Sequence, residues 1–115
     1  MTSTKARGDP LLATLTSVRC GLARVRLAPA PASPILVLLA ACAASVEEML
    51  QACETLAKFA TMDSRHLAAV VRFCAAVCED CERECRRHAQ EHDSCAACAE
   101  SCARCIEACR AFLDA

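Results

Sequence analysis

The chain has 115 residues, a formal net charge of −1, 12 cysteines, 3 phenylalanines and neither tryptophan nor tyrosine. Its length corresponds to one domain, and its balanced charge gives no support to nucleic-acid binding. The scarcity of glycine and aromatic residues disfavours sheets and favours helices, while cysteine at about a tenth of the chain is typical of disulfide scaffolds or metal proteins.

A first helix is predicted to begin at Asp9 and Pro10, an N-cap followed by proline at the first helical position. One apolar stripe then recurs at spacings of four and three: Leu11, Leu15, Val18, Leu22 and Val25. The sequence APAPASP at residues 28–34 ends this helix and forms a stiff linker. We therefore separate residues 1–34, a divergent first helix or a targeting segment, from a cysteine-rich helical bundle domain at residues 35–115.

The basic N-terminal segment also bears on cellular location. It is rich in Arg, Ser and Thr, as transit peptides are, and LLAAC at residues 38–42 resembles a lipoprotein processing site. Its prolines interrupt the layout of an export signal, however, and Cys42 fits the stripe of the following helix. No stretch reaches the ~18–20 apolar residues that a membrane span requires. We expect a cytoplasmic protein without a membrane span, with export as the alternative.

Three further helices are predicted after the linker. The second runs from about Ile35 to Thr61, and the third begins with Asp63 or Ser64 as its cap and ends near Ala89. The connection QEHDS then leads to a last helix with Asp93 as its N-cap. Because short connections make successive helices antiparallel neighbours, the predicted fold class is all-α, an antiparallel four-helix bundle.

The cysteines of the last two helices follow spacings of three and four, which place side chains on one face of a helix. The third helix carries Cys74, Cys78, Cys81 and Cys85, with His88 in line with them. The last helix carries Cys95, Cys98, Cys102, Cys105 and Cys109. Charged residues occupy the outer faces. The stripe of the second helix is Cys42, Val46, Met49, Cys53, Leu56 and Ala60, so it adds two cysteines and a methionine. A core selected for packing would use Leu, Ile and Val, so nine thiols in register predict a cysteine-lined core that holds something. Cys20 lies off the stripe of its helix and fits the role of a small hydrophobic filler.

Three explanations of the cysteine-lined core compete: disulfides, zinc or an iron–sulfur cluster, and Cu(I). Disulfides are disfavoured because adjacent thiols along one helix are badly oriented for bonding to each other. Zinc takes four ligands, usually from Cys-x2-Cys knuckles on turns, and iron–sulfur motifs generally lie in loops. Cu(I) is selected by thiolates, and two cysteines at i and i+4 can clamp it without a turn. Four such pairs occur: Cys74/Cys78, Cys81/Cys85, Cys98/Cys102 and Cys105/Cys109.

The segment from about residue 41 to 112 resembles the bacterial four-helix-bundle copper storage proteins. The resemblance rests on CAASVEEMLQACETLAKFA and on VCEDCERECRRHAQEHDSCAACAESCARCIEAC. It implies a bundle that binds many Cu(I) ions, several through Cys-x3-Cys pairs. The ligands that it implies are Cys42, Cys53, Cys74, Cys78, Cys81, Cys85, Cys95, Cys98, Cys102, Cys105 and Cys109. Met49 and His88 are further metal-binding candidates, because family members use Met or His near the mouth of the bundle.

The predicted function is therefore Cu(I) storage or sequestration without catalysis, since no catalytic arrangement of Ser, His and Asp is suggested. Copper ions are the expected partners, nucleic acid is not, and a homo-oligomer is left open. The sequence departs from the family in its first helix, where members usually have cysteines and this chain offers only Cys20. The alternative hypothesis is a disulfide-stapled or zinc-binding helical interaction module.

Overall fold

The computed structural model describes Leu11, Ala13 and residues 35–114, with side chains described from residue 43 onward in the second range. Residues 35–114 form three helices: α1 (Ile35–Thr61), α2 (Leu67–Arg86) and α3 (Asp93–Asp114). They correspond to the second, third and last predicted helices. The part of the chain that the structure describes contains no strand, so the all-helical prediction is confirmed. The rest of the first predicted helix lies outside the described residues.

Helix α1 buries a broader face than its predicted stripe. Val46, Met49, Cys53, Leu56 and Ala60 are buried as the spacing predicts. The buried set also includes its neighbours Leu50, Ala52 and Ala57. A helix that buries residues on both sides of its central stripe packs against more than one neighbour. Leu11, with 2% of its surface exposed, belongs to the same buried core.

The connection between α1 and α2 is a Schellman motif. Asp63 has a φ of 52°, in the left-handed region, and its N–H donates to the carbonyl of Ala60 (3.3 Å). The N–H of Ser64 donates to the carbonyl of Phe59 (3.3 Å), which completes the motif. Asp is one of the few residues other than Gly that adopts this conformation. Asp63 therefore ends α1.

The predicted cap of the next helix, Asp63 or Ser64, is wrong by two or three residues. The N-cap of α2 is His66, which makes no side-chain capping hydrogen bond. The Ser64 hydroxyl instead accepts from the N–H of His66 (3.0 Å), because the C-terminal turn of α1 already uses residues 63 and 64. Helix α2 also ends earlier than predicted, at Arg86 rather than near Ala89, and turns at residues 87–91 connect it to α3.

The cysteines lie on the inner faces of α2 and α3. The buried residues of α2 are Leu67, Val71, Cys74, Cys78, Cys81 and Cys85. Helix α2 packs against both α1 and α3. Its contacts with α3 run in reverse order, since Cys78 meets Cys105 whereas Cys81 meets Cys98. Helices α1 and α3 face each other across the core through sulfur atoms.

The outer face of α2 is polar, as predicted. Arg86 donates to Glu82 one turn earlier (2.7 Å), and Arg87 donates to Glu84 (3.3 Å). Such exposed pairs stabilise a helix by about 0.2–0.5 kcal/mol each, so the core rather than the surface decides the stability. None of the helices in the described range combines the length and apolarity needed to cross a membrane.

The left-handed conformation of Asp63 predicts different effects for two substitutions. Asp63→Val should lower the free energy of unfolding by about 1–2 kcal/mol, because a β-branched residue is strained at positive φ. Asp63→Gly should leave it nearly unchanged, since Gly adopts this conformation without strain. Urea unfolding of the metal-free chain under reducing conditions, followed by circular dichroism, measures both. Equal stabilities of the two variants would contradict the Schellman turn.

Candidate metal centre

All ten cysteines whose side chains the structure describes are buried. Nine have no exposed surface, and Cys95 is 3% exposed. None of these ten is in a disulfide. The side chains of Cys20 and Cys42, the other two cysteines, lie outside the described residues. Ten buried thiols on three helices thus form the sulfur lining that the spacing predicted.

Four thiols meet at one level of the core. We call Cys53, Cys74, Cys78 and Cys105 the four-thiol cluster, because their sulfur atoms all lie within 4.8 Å of one another. Cys53 of α1 is 3.9 Å from both Cys74 and Cys105, which links all three helices. Cys105 is 3.9 Å from Cys74 and 3.2 Å from Cys78, and the α2 pair is 4.0 Å apart.

Three thiols meet at a second level. We call Cys81, Cys85 and Cys98 the three-thiol cluster, and their sulfur atoms also lie within 4.8 Å of one another. Cys81 is 3.9 Å from Cys85 along α2 and 3.8 Å from Cys98 on α3. Both clusters contain an i,i+4 pair of α2, but in each the pair is completed by thiols of other helices.

Met49 and Cys102 occupy the region between the two clusters. The Cys102 Sγ lies 3.1 Å from the Met49 thioether sulfur, and neither side chain is exposed. Cys102 follows Cys98 and precedes Cys105 on α3, so this contact lies between the two levels. The sequence-predicted candidate Met49 is therefore part of the sulfur lining. Cys95 and Cys109 are buried further along α3, on either side of the clusters.

His88 belongs to neither cluster. It follows the end of α2, its side chain is 16% exposed, and its Nε2 lies 3.7 Å from the Glu84 carboxylate. The Cys85 carbonyl accepts from its backbone N–H (3.1 Å). The spacing that placed His88 in line with the cysteines counted it as one more turn of α2, but the helix has already ended.

Hydrogen bonds between the thiols raise the pKa of some of them and lower the pKa of others. Bonds to Cys102 and Cys81, with burial, raise the pKa of Cys98 well above its ordinary value. The pKa of Cys105 is raised by bonds to Cys109 and Cys53, and that of Cys78 by bonds to Cys105 and Cys53. A bond from Cys105 lowers the pKa of Cys74, but bonds to Cys109, Cys53 and Cys78 and burial outweigh it, so the net shift is upward.

The pKa is lowered for two thiols that accept hydrogen bonds. Bonds from Cys81 and Cys98 lower the pKa of Cys102 to about 5. Bonds from Cys105 and Cys74 lower the pKa of Cys109 to about 4. In the metal-free core, thiols with a raised pKa thus lie beside two thiols with a lowered pKa. A bound cation would replace thiol protons, so metal binding should release protons and weaken at low pH.

Sequence reasoning identified the thiols that face the core but not their grouping. Periodicity shows which face of a helix carries the thiols, but not which thiols of different helices lie at the same level. Cys53 illustrates the difference, because its spacing gives it no clamp partner while the structure places it against α2 and α3. The buried polar residue Ser101, whose hydroxyl accepts from Arg104 (3.3 Å), carries no metal-binding signal in the sequence.

The raised thiol pKa values predict a loss of stability at high pH. A thiol whose folded-state pKa lies above its ordinary 9.0 contributes fully below pH 9, and the contribution is lost as pH rises through the folded-state value. The free energy of unfolding of the metal-free, reduced chain should therefore fall above about pH 9. Urea unfolding at a series of pH values measures this, and the absence of tyrosine simplifies its assignment to thiols. Constant stability up to about pH 11 would contradict it.

A comparison with protein families agrees with this geometry. The family model described as "Copper storage protein" matches residues 35–114, which contain α1, α2, α3 and every described cysteine. No curated protein and no solved structure matches the chain. The matched segment covers more than half of the sequence, and the chain belongs to the copper storage protein family.

Proposed function

We propose that this chain binds and stores copper as Cu(I), held by thiolates that line the core of its helical bundle. The observation that carries the proposal is the continuity of the lining. Two clusters of buried thiols are joined by the contact between Met49 and Cys102. A single structural metal site needs only four ligands, so a lining of this length favours many ions.

The chemistry of the donors favours Cu(I) over harder ions. Thiolate and thioether groups are soft ligands that select Cu(I), whereas Mg²⁺ and Ca²⁺ require oxygen ligands. Burying several thiolates without cations would be strongly unfavourable. Each bound Cu(I) supplies a positive charge where a thiol loses its proton, so loading would fill the core without accumulating negative charge.

The proposed ligands are the cysteines of the matched segment. Cys74 and Cys78 lie 4.0 Å apart and Cys81 and Cys85 3.9 Å apart, distances that suit two Cys-x3-Cys clamps. Cys98/Cys102 and Cys105/Cys109 are the equivalent pairs of α3. The set is Cys42, Cys53, Cys74, Cys78, Cys81, Cys85, Cys95, Cys98, Cys102, Cys105 and Cys109. Met49 would contribute from within the lining and His88 from the end near Cys85.

We infer an antiparallel four-helix bundle for the whole domain. The reverse order of contacts between α2 and α3 supports antiparallel neighbours. The broad buried face of α1 and the burial of Leu11 support a first helix, formed within residues 1–34, that covers the core beside residues 35–115. That helix would form an apolar wall, since Cys20 is off its stripe. As a store the protein would have copper ions as partners and no catalytic role.

We also propose that the protein works in a bacterial cytoplasm, where reducing conditions keep thiols available for metal. Export is the alternative. Fractionation of cells that express the full chain, with detection by an antibody, distinguishes these locations. Recovery in the cytoplasmic fraction supports the proposal, and recovery of a shortened form outside the cytoplasm supports export.

Anaerobic titration with Cu(I) tests storage. The twelve cysteines could form at most three independent four-ligand sites, so storage requires clearly more than about four tightly bound ions per chain. The fully reduced, metal-free chain is titrated against a competing Cu(I) chelator, and metal and protein are quantified after gel filtration. Saturation at one or two ions would refute storage and favour the small metal-bound interaction module.

Single substitutions test the ligand assignment. Cys81→Ser removes the thiol that contacts both Cys85 and Cys98, and should lower Cu(I) capacity by at least one ion. Cys20→Ser is the matched control and should leave capacity nearly unchanged. The same competition titration measures both variants. A large loss with Cys20→Ser would show that the first helix contributes a ligand to the core.

A further inference from the structure

The four-thiol cluster has the shape of a tetrahedron. Five of its six sulfur–sulfur distances are 3.9, 3.9, 4.0, 3.9 and 3.2 Å, and the sixth is at most 4.8 Å. A square with sides of about 3.9 Å would have diagonals of about 5.5 Å, so the square-planar arrangement that Cu(II) or Ni(II) favours is excluded. Four mutually adjacent thiols at this spacing surround a single central point.

That tetrahedron matches the size of a zinc site. In a regular tetrahedron the edge is about 1.6 times the distance from centre to corner, so Zn–S bonds of about 2.3 Å correspond to edges of about 3.8 Å. Four of the five distances already lie within about 0.2 Å of this value. Among these five distances, only the 3.2 Å contact between Cys78 and Cys105 has to widen.

The placement of the ligands is that of a structural zinc site. Cys53 comes from α1, Cys74 and Cys78 from α2, and Cys105 from α3, so one ion would bond all three described helices. None of the four side chains is exposed, and a site closed by four protein ligands leaves no position for water. A Zn²⁺ ion would compensate two of the four thiolate charges, whereas one Cu(I) would compensate only one.

The three-thiol cluster does not offer the same site. Its sulfur atoms form a triangle with two sides of 3.9 and 3.8 Å, which suits a three-coordinate ion. Only three of its sulfur atoms lie within 4.8 Å of one another, whereas structural zinc requires four ligands. The two clusters therefore differ in the ligand number that they present.

We propose that Cys53, Cys74, Cys78 and Cys105 form a Zn(II) site that holds α1, α2 and α3 together when the chain carries no copper. Zinc binding displaces the thiol protons, and the bonds to three helices stabilise the folded chain. Incoming Cu(I), which thiolates prefer, displaces the zinc as the core is loaded.

Titration of the metal-free, reduced full chain with Zn(II), and separately with Co(II) as an optical probe, tests the site. We expect one tightly bound Zn(II) per chain, protection of four thiols from alkylation and a higher thermal midpoint. The Co(II) form should show the intense d–d and thiolate charge-transfer absorption of a tetrahedral sulfur site. A six-coordinate Co(II) spectrum, or no tight equivalent of zinc, would overturn the proposal.

Two matched serine variants locate the site. Cys78→Ser removes a ligand of the four-thiol cluster, whereas Cys98→Ser removes a buried thiol of the three-thiol cluster. Loss of a second-shell partner alone typically lowers metal affinity 10- to 100-fold, so loss of a ligand should lower Zn(II) affinity by more than about 100-fold. Cys98→Ser should bind zinc as the unmodified chain does. Equal effects, or loss only with Cys98→Ser, would overturn the assignment.

Folding and copper storage are monitored independently. Circular dichroism of each metal-free variant establishes that it is helical, and Cys53→Ser replaces Cys78→Ser if the latter does not fold. Cu(I) capacity of the unmodified chain is measured in parallel. A chain that binds many Cu(I) ions but no Zn(II) overturns the zinc site alone, whereas tight zinc with only one or two Cu(I) ions overturns storage alone.

Discussion

The structure depends on contact between buried thiols. A lone thiolate in an apolar core is strongly disfavoured, and a column of them would repel one another. The metal-free chain avoids this by sharing protons, so that donor thiols such as Cys98 have a raised pKa and acceptors such as Cys102 a lowered one. The same contacts bring sulfur atoms close enough to share a cation. Proton sharing between thiols and the binding of a cation are therefore alternative ways of compensating the charge of the same thiolates.

Apolar side chains of α2 and α3 are buried together at one end of the bundle. On α2, Leu67 and Val71 precede the cysteines, whereas on α3 Phe112 follows them. Because α2 and α3 pair in reverse order, these apolar side chains lie at the same end. Burial of one such side chain contributes about 1.5–3 kcal/mol, and a small thiol contributes less. This apolar end thus contributes more burial energy per side chain than the part of the core that thiols line.

The helices and the faces that they bury could be predicted from the sequence. Spacings of three and four are sufficient because helical geometry fixes which residues share a face, so Cys74 to Cys85 could be assigned without the structure. The turn at Asp63 was misread because Asp serves equally as an N-cap and as a left-handed helix terminator. The grouping into four and three thiols was not predictable, because it depends on the axial alignment of α1 with α3. Periodicity within one helix does not determine that alignment.

Met49 shows how the lining remains continuous between clusters of different ligand number. Its thioether has no proton to lose, so its contact with Cys102 adds a soft donor without adding a charge. A cysteine at the same position would add a further thiolate to be neutralised, and a leucine would interrupt the sulfur lining. The thioether therefore extends the sulfur lining between the levels of Cys105 and Cys98 without adding a group that loses a proton. The core thus presents four adjacent thiols at one level and three at another, donor numbers that suit more than one coordination geometry.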